Sequence, residues 1–399
     1  MFGRRRWLQL LGTVPGLSAY GASQTSRGGV VRDYFKDLGV RPFINAAGTF
    51  TALTASIMAP EAQQAWNYAA GHFVPLGKLH DAVGERIAQL IGAEAAMVTS
   101  GAAGALAVGM AGVLTGDDPD KIKRLPDLTG MKTEVIIQKS HRFGYDHSLR
   151  ACGIHFVEVE TAEQVHGAVG EKTALMFFFN DASYLGKIGD EEWVRLARQH
   201  NIPTFNDCAA DVPPVGNLSK HLKMGFDLVA FSGGKGLRGP QSAGLLLGRK
   251  DLVAAARLNT SPNSDTLTRG MKVNKEEMLA MMAAVEAYLK RDHDADWREW
   301  ERRCNVIANA ISGIKGVSAS INVPPVANHV PHLNVEWDAA VIRKTPLEIR
   351  QLLSEGTPAI EVSPKTTAET LIIGVWMMET GQETIVAQQL EQALRRASA

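Results

Sequence analysis

One lysine stands where nucleophilic chemistry is easiest to arrange. The apolar run Phe226-Asp227-Leu228-Val229-Ala230-Phe231 ends in Ser232-Gly233-Gly234-Lys235-Gly236, so a strand-like segment delivers a single amine flanked by glycines. An amine must lose its proton before it attacks an aldehyde, and a partly desolvated position promotes that loss. The small neighbours would let a flat ring approach. Alone, Gly-Gly-Lys-Gly also fits an ordinary surface turn. A second group lies 28 residues earlier: Ile202-Pro203-Thr204-Phe205-Asn206-Asp207 places a carboxylate at the end of another apolar segment. There it can pair with a protonated ring nitrogen, or simply cap a following helix. A third is Met97-Val98-Thr99-Ser100-Gly101-Ala102-Ala103-Gly104, a strand turning through small residues into a helix. Free N–H groups at such a helix start bind phosphate. In the order phosphate cup (Ser100, Gly101, Ala102, Ala103), aspartate (Asp207) and lysine (Lys235), these elements specify pyridoxal 5'-phosphate (PLP), with Lys235 as its Schiff-base lysine.

Between cup and aspartate, Ser140-His141-Arg142-Phe143 follows the apolar segment Glu134 to Gln138, at the sheet edge where ligands of open α/β folds collect. His141 is a candidate to stack on a flat cofactor, and Arg142 a candidate to hold a substrate anion; either can equally be a loop residue. Cys152, Cys208 and Cys304 form no CxxC pattern, so neither a disulfide framework nor a metal site is expected. The 42 basic and 42 acidic residues balance, which argues against nucleic acid or an anionic membrane surface and for a small-molecule partner.

The elements that must position these groups follow an α/β pattern. Nearly continuous apolar runs at Ala95 to Thr99, Glu134 to Gln138, Ala174 to Phe179, Pro203 to Asn206, Leu228 to Phe231 and Gly244 to Leu247 predict strands of a mostly parallel sheet buried on both faces. A helix is expected to start near Pro60, and one long helix is expected over Asn274 to Arg303. Asn334 to Trp337, the helical Pro346 to Glu355 and the strand Thr370 to Val375 predict a smaller C-terminal α/β unit. The expected organisation is a tail over 1–26, an N-terminal segment over 27–60, a large PLP-binding domain over 61–300 and a small domain over 301–399. Within the tail, Arg4-Arg5-Arg6 precedes a short apolar stretch and small residues at Ala19 to Ser23. That order fits a twin-arginine export signal and a periplasmic destination, the other reading being a basic tail on a cytoplasmic protein. No segment reaches the roughly 18 apolar residues that a membrane helix needs.

The chain resembles the SelA-like group of fold-type I, aspartate-aminotransferase-like PLP enzymes, which includes selenocysteine synthase and an ammonia-lyase branch. The likeness is carried by Leu38 to Thr49, by Thr99-Ser100-Gly101-Ala102-Ala103, by Phe231 to Gln241 and by Arg269 to Glu277, and the lyase branch is the nearer. The resemblance implies a homo-oligomer with shared active sites, a phosphate-neighbouring Ser232 and an anion-binding Arg269. It also implies Cα deprotonation by Lys235, with β-elimination from a hydroxylated amino acid or amino sugar acid to give ammonia and a 2-keto acid. Racemase, aldolase and aminotransferase chemistry remain alternatives, as does a non-catalytic PLP binder. Two departures matter. Where the family commonly follows Pro-x-Ile with an arginine, Thr357 to Ser363 has none. The residues before about 27 read as a signal or tail, so the helical domain with which selenocysteine synthase holds tRNA is not expected, nor is tRNA as a partner.

Overall fold

The computed structural model of the protein describes residues 32–398; the expected export signal lies outside them. Residues 32–42 form a unit of their own. In it Asp33 caps the short helix Tyr34–Asp37 by accepting from the Lys36 amide, and Arg32 pairs with Asp37 at 2.7 Å.

From Phe43 onward the chain is one compact unit. Its strands are β1 (Phe43–Ala46), β2 (Ala95–Ser100), β3 (Glu134–Gln138), β4 (His155–Val159), β5 (Thr173–Phe179), β6 (Thr204–Asp207), β7 (Leu228–Ser232), β8 (Ala243–Gly248), β9 (Val317–Asn322), β10 (His332–Trp337), β11 (Ala359–Val362) and β12 (Leu371–Gly374). Seven make the central sheet in the order β2-β8-β7-β6-β5-β3-β4. All run parallel except β8, which is antiparallel to both neighbours. One apolar core covers each face of this sheet, which is why its inner strands are mostly apolar; β6 is the exception, with Thr204 and Asn206 buried beside Phe205. The parallel arrangement sends the ends of β2, β3, β5, β6 and β7 to one edge, and every residue of the predicted cofactor motif sits at or just beyond it.

A third core lies under the three-stranded antiparallel sheet β12-β10-β9 and the parallel pair β1-β11. Ile44 and Ala46 of β1 belong to it, so the part of the expected N-terminal segment from Phe43 onward contributes to the C-terminal layer. The 300/301 division falls inside the helix His293–Ile311, whose Trp300, Cys304 and Ile307 also pack there.

Two expectations are corrected. The single helix over Asn274 to Arg303 is two, Lys275–Lys290 and His293–Ile311. Arg291 turns extended (φ −67°, ψ 148°), and Asp292 starts the second helix by accepting from the Ala295 amide at 2.9 Å. Strands β1, β4, β9 and β11 are not among the expected ones. The helix Pro346–Glu355 forms as expected, held by a reciprocal cap between Thr345 and Glu348 behind a first-turn proline.

Candidate active site

Lys235 follows β7 through a turn whose glycines are required by close packing. A Cβ on Gly233 would lie 2.3 Å from Met281 Sδ and 2.8 Å from the Ala243 carbonyl oxygen, and one on Gly236 would lie 2.0 Å from the Val212 carbonyl oxygen. The turn is fastened by Gly233 N–H to Ala243 O and Gly239 N–H to Gly233 O, both 2.8 Å, and by Ser56 Oγ donating to Gly234 O at 2.6 Å. The glycines therefore fix the backbone under Lys235 as well as clearing space beside it. Burial holds the ammonium pKa below its ordinary value, against the pull of Asp207, Asp211 and Asp181 and with help from Lys365. A half-buried amine in this position is easier to deprotonate than a surface lysine.

Asp207 ends β6, beside β7, and is 3% exposed. One carboxylate oxygen accepts from the Ala209 amide at 3.0 Å. Burial pushes its pKa up to about 6, partly offset by that bond and by Lys235. A carboxylate so enclosed, with one backbone donor and a lysine in electrostatic reach, fits a cationic ring nitrogen. The cup fits a phosphate. Gly101 takes φ +67°, and the helix Gly101–Thr115 opens on Ser100 without a side-chain cap, leaving its first amides for an outside acceptor. The cup lies directly on β8, because a Cβ on Gly244 would come within 2.3 Å of the Gly101 carbonyl carbon and 2.7 Å of the Ala102 nitrogen. Gly244→Ala is accordingly expected to displace the cup, lowering stability by about 1–3 kcal/mol and weakening cofactor affinity, as read by thermal melting and by cofactor titration of the apoprotein. Ser232 ends β7 opposite Gly244, and its hydroxyl has no partner among the described residues.

His141 is corrected from a stacking residue to a positioning one. It is fully enclosed, packs edge-on against Phe178 (centroids 4.5 Å apart), accepts from the Phe179 amide at 3.2 Å, and is held to a pKa of about 4 by burial. No ring face is open to a cofactor; the side chain instead braces the turn Asn180–Ala182 at the end of β5. Arg142 is likewise committed. Its guanidinium pairs with Asp146 at 2.7 Å and with Glu158 of β4, and lies over the Phe156 ring, so it ties down the sheet margin and is not free for a substrate anion. Arg269 lies half-buried in the turn Leu267–Gly270 and makes no ion pair among the described residues.

Several groups were not singled out from sequence. Asp211 is 2% exposed, accepts from Asn180 Nδ2 at 2.8 Å and is pushed by burial to about 7. With buried Cys208 and His221 it brings three ligand-type atoms within 4.8 Å of one another. Burial and the neighbouring Asp211 and Asp207 drive the Cys208 thiol pKa well up, which opposes the thiolate that a metal ion would need. Asp181 and Lys365, both in electrostatic reach of Lys235, line a cavity of about 190 Å³ together with Thr49, Asn328, His332, Asn334, Ser363 and Trp376. Lys365 is the cation that stands in this region, where the segment Thr357 to Ser363 offers no arginine.

The D-glucosaminate-6-phosphate ammonia lyase of Salmonella typhimurium is 28% identical over 358 residues, covering 84% of this chain and 94% of the relative. A 5'-C-glycyluridine monooxygenase-decarboxylase of a Streptomyces species is 28% identical over 339 residues, covering 82% and 83%. The solved structure of a D-glucosaminate-6-phosphate ammonia-lyase superposes with a TM-score of 0.80 at 26% identity over 93% of this chain and all of that one. The architecture is that of the fold-type I PLP-dependent enzymes. The family model for SelA, L-seryl-tRNA selenium transferase, matches residues 44–298, and the chain belongs to that family.

Proposed function

We propose that the protein is an ammonia lyase that removes the α-proton of a hydroxylated amino acid or amino sugar acid, expels its β-hydroxyl, and releases ammonia and a 2-keto acid. It is a PLP-dependent enzyme of the SelA family. The observation that carries the reading is the convergence, at one sheet edge, of an amine held below its ordinary pKa (Lys235), an enclosed carboxylate (Asp207) and an uncapped helix start (Gly101). When bound, PLP supplies the sink for the electron pair left at Cα.

This chain's residues do the rest. The cup amides and the Ser232 hydroxyl would hold the phosphate, and the Asp207 carboxylate would favour the protonated ring nitrogen. Lys235 Nζ would accept the α-proton of the substrate as general base. The ammonium so formed is then the proton source beside the departing β-hydroxyl, which leaves as water. Addition of water at Cα releases ammonia, so R–CHOH–CH(NH2)–COOH becomes R–CH2–CO–COOH and NH3. His141 contributes by bracing the Asn180–Ala182 turn, which places Asp181 near Lys235. Exposed Tyr68, Phe73, Val74, Tyr184 and Leu185 offer apolar surface for a homo-oligomer to cover.

A panel of 3-hydroxy amino acids and amino sugar acids, assayed for ammonia and 2-keto acid together, tests the reading. Equal amounts of both products are expected from at least one substrate. Racemisation, or amino-group transfer to an added keto acid, with no ammonia released would contradict it.

A further inference from the structure

The turn that carries Lys235 is gripped by a segment from the far end of the chain. Between β1 and the helix Pro60–Ala70, residues 50–59 form a strap across residues 234–241. Ser56 Oγ donates to Gly234 O at 2.6 Å, the Ala59 amide to Arg238 O at 2.8 Å, Arg238 Nε to Ile57 O at 3.0 Å and Gln241 Nε2 to Thr51 O at 3.0 Å. The side-chain partners are 178 to 190 residues apart, so nothing local dictates the pairing.

Both segments are strained where they meet. Thr54 and Ala55 take φ +60° and +57° in succession, and Arg238 takes φ +55°. None is among the residues that adopt this region readily. Such backbone persists where its surroundings over-determine it, and it gathers at sites where geometry matters to function. The restraints on the strap are visible. Ala55 is 4% exposed, its amide donates to Phe50 O at 3.0 Å, and Asn45 Nδ2 donates to Ala55 O at 3.3 Å and to Gly48 O at 3.2 Å. Asn45 lies in β1 opposite Glu361 of β11, so the strap is rooted in the C-terminal layer and not in the sheet that carries Lys235.

One of the four bonds reaches the reacting residue. Gly234 O belongs to the peptide that enters Lys235, and among the described residues Ser56 is its donor. The peptide that leaves Lys235 is held separately, by the Arg238 amide donating to Lys235 O at 3.0 Å. Gly234 has no side chain to restrain its own peptide, and none would fit, since a Cβ there would lie 2.4 Å from Gln241 Cα. The half-buried Ser56 hydroxyl therefore takes over that restraint from outside the turn. The plane of this peptide sets where the Lys235 side chain points.

We infer that Ser56 is a positioning residue for Lys235, its hydroxyl fixing the peptide between Gly234 and Lys235 so that Nζ meets the cofactor's aldehyde in the direction attachment requires. Attachment is a condensation in which the amine nitrogen bonds to the aldehyde carbon and the aldehyde oxygen leaves as water. The inference rests on Lys235 as the attachment lysine. Misplacing a reacting group by about 1 Å can slow a step about 100-fold. The loss of Ser56 is thus felt in the rate of attachment and not in affinity for the ring and phosphate, which Asp207 and the cup are placed to hold.

The test compares wild type with Ser56→Ala, Ser56→Thr and Gln241→Ala, the last removing another strap bond while leaving Ser56 in place. Two quantities are measured on the apoprotein. One is the rate at which added PLP becomes fixed to Lys235, read by borohydride quenching and peptide mass spectrometry. The other is equilibrium binding of pyridoxamine 5'-phosphate, which has the ring and phosphate but no aldehyde. Ser56→Ala is expected to slow fixation about 10- to 100-fold while pyridoxamine 5'-phosphate affinity stays within about threefold, and Ser56→Thr, which keeps the hydroxyl, to return the rate to within about threefold of wild type. Should Ser56→Ala melt below the assay temperature, Ser56→Cys, a weaker donor of similar shape, replaces it with the same expectation. The inference is overturned if the variant lacking the hydroxyl fixes PLP as fast as wild type, if it loses pyridoxamine 5'-phosphate affinity in the same proportion, or if Gln241→Ala slows fixation as much. Fixation of wild type on a different lysine would overturn the Lys235 reading and this inference with it; fixation on Lys235 that ignores Ser56 overturns this inference alone.

Discussion

Asp207→Asn is expected to leave the cofactor bound and turnover reduced about 30- to 150-fold. Asparagine keeps the shape of the side chain and can still accept from the Ala209 amide, but it removes the charge facing the ring nitrogen. A charge-assisted contact exceeds a neutral one by about 2–3 kcal/mol, and if that difference is felt chiefly as charge develops at Cα it appears almost wholly in kcat. Cofactor occupancy by absorbance, measured beside kcat and KM, separates this outcome from simple loss of cofactor. Turnover close to wild type at full occupancy would make Asp207 a structural residue.

The same substitution has an opposite effect on the stability of the apoprotein. Burial raises the Asp207 carboxyl from 3.8 to about 6 in the folded chain, so the unfolded chain gives up this proton first. Its contribution to folding is fully present below pH 4 and is lost as pH rises through 6. The displacement corresponds to about 3 kcal/mol once the group is ionised in both states. Apo Asp207→Asn should therefore be more stable than apo wild type at pH 8, with the gap closing by pH 4. Buried His80, His141 and His221, pushed down to about 4, slope the other way, but they are common to both proteins and cancel in the difference. Denaturant melts at several pH values check it.

Lys235→Ala should cost more activity than any other single change, because it removes both the attachment point and the general base. Proton transfer by a positioned base is worth roughly 10²- to 10⁴-fold, and a drop of at least 10³ in kcat is expected with the fold retained. Circular dichroism and melting temperature provide the fold control, since a half-buried lysine tip contributes little to the core. Residual turnover above about a tenth of wild type would remove Lys235 from the chemistry.

The parts of this architecture legible in the sequence are those whose physics is local. Strands β2, β3, β5, β6, β7 and β8 are buried on both faces and read as apolar runs. The margin strand β4 carries His155 and Glu158 toward solvent, and β9 is almost wholly exposed Val-Ser-Ala-Ser-Ile-Asn, so neither has an apolar signature. That omission propagated to the site: Arg142 reads as a free anion holder only while Glu158, its partner on β4, goes unrecognised. The cup, Asp207 and Lys235 are each announced by the backbone that holds them, a helix start, a strand end and a glycine turn. Asp181, Asn334, Lys365 and Trp376 come from separate segments with no motif of their own, and only the register of β10 and the placement of β1 against β11 bring them together. The break at Arg291 and Asp292 did leave a signal, Asp292 followed by Asp294 and Asp296 in the first turn of a new helix, which the continuous apolar spacing on either side overrode.

The central claim is that Lys235 carries the cofactor at this sheet edge. Borohydride reduction of the PLP-loaded protein, followed by proteolysis and mass spectrometry, addresses it directly. A single pyridoxyl phosphate mass increment is predicted on the peptide containing Ser232-Gly233-Gly234-Lys235, absent in Lys235→Ala. The increment on another lysine, Lys365 included, or its persistence in that variant, would contradict the account.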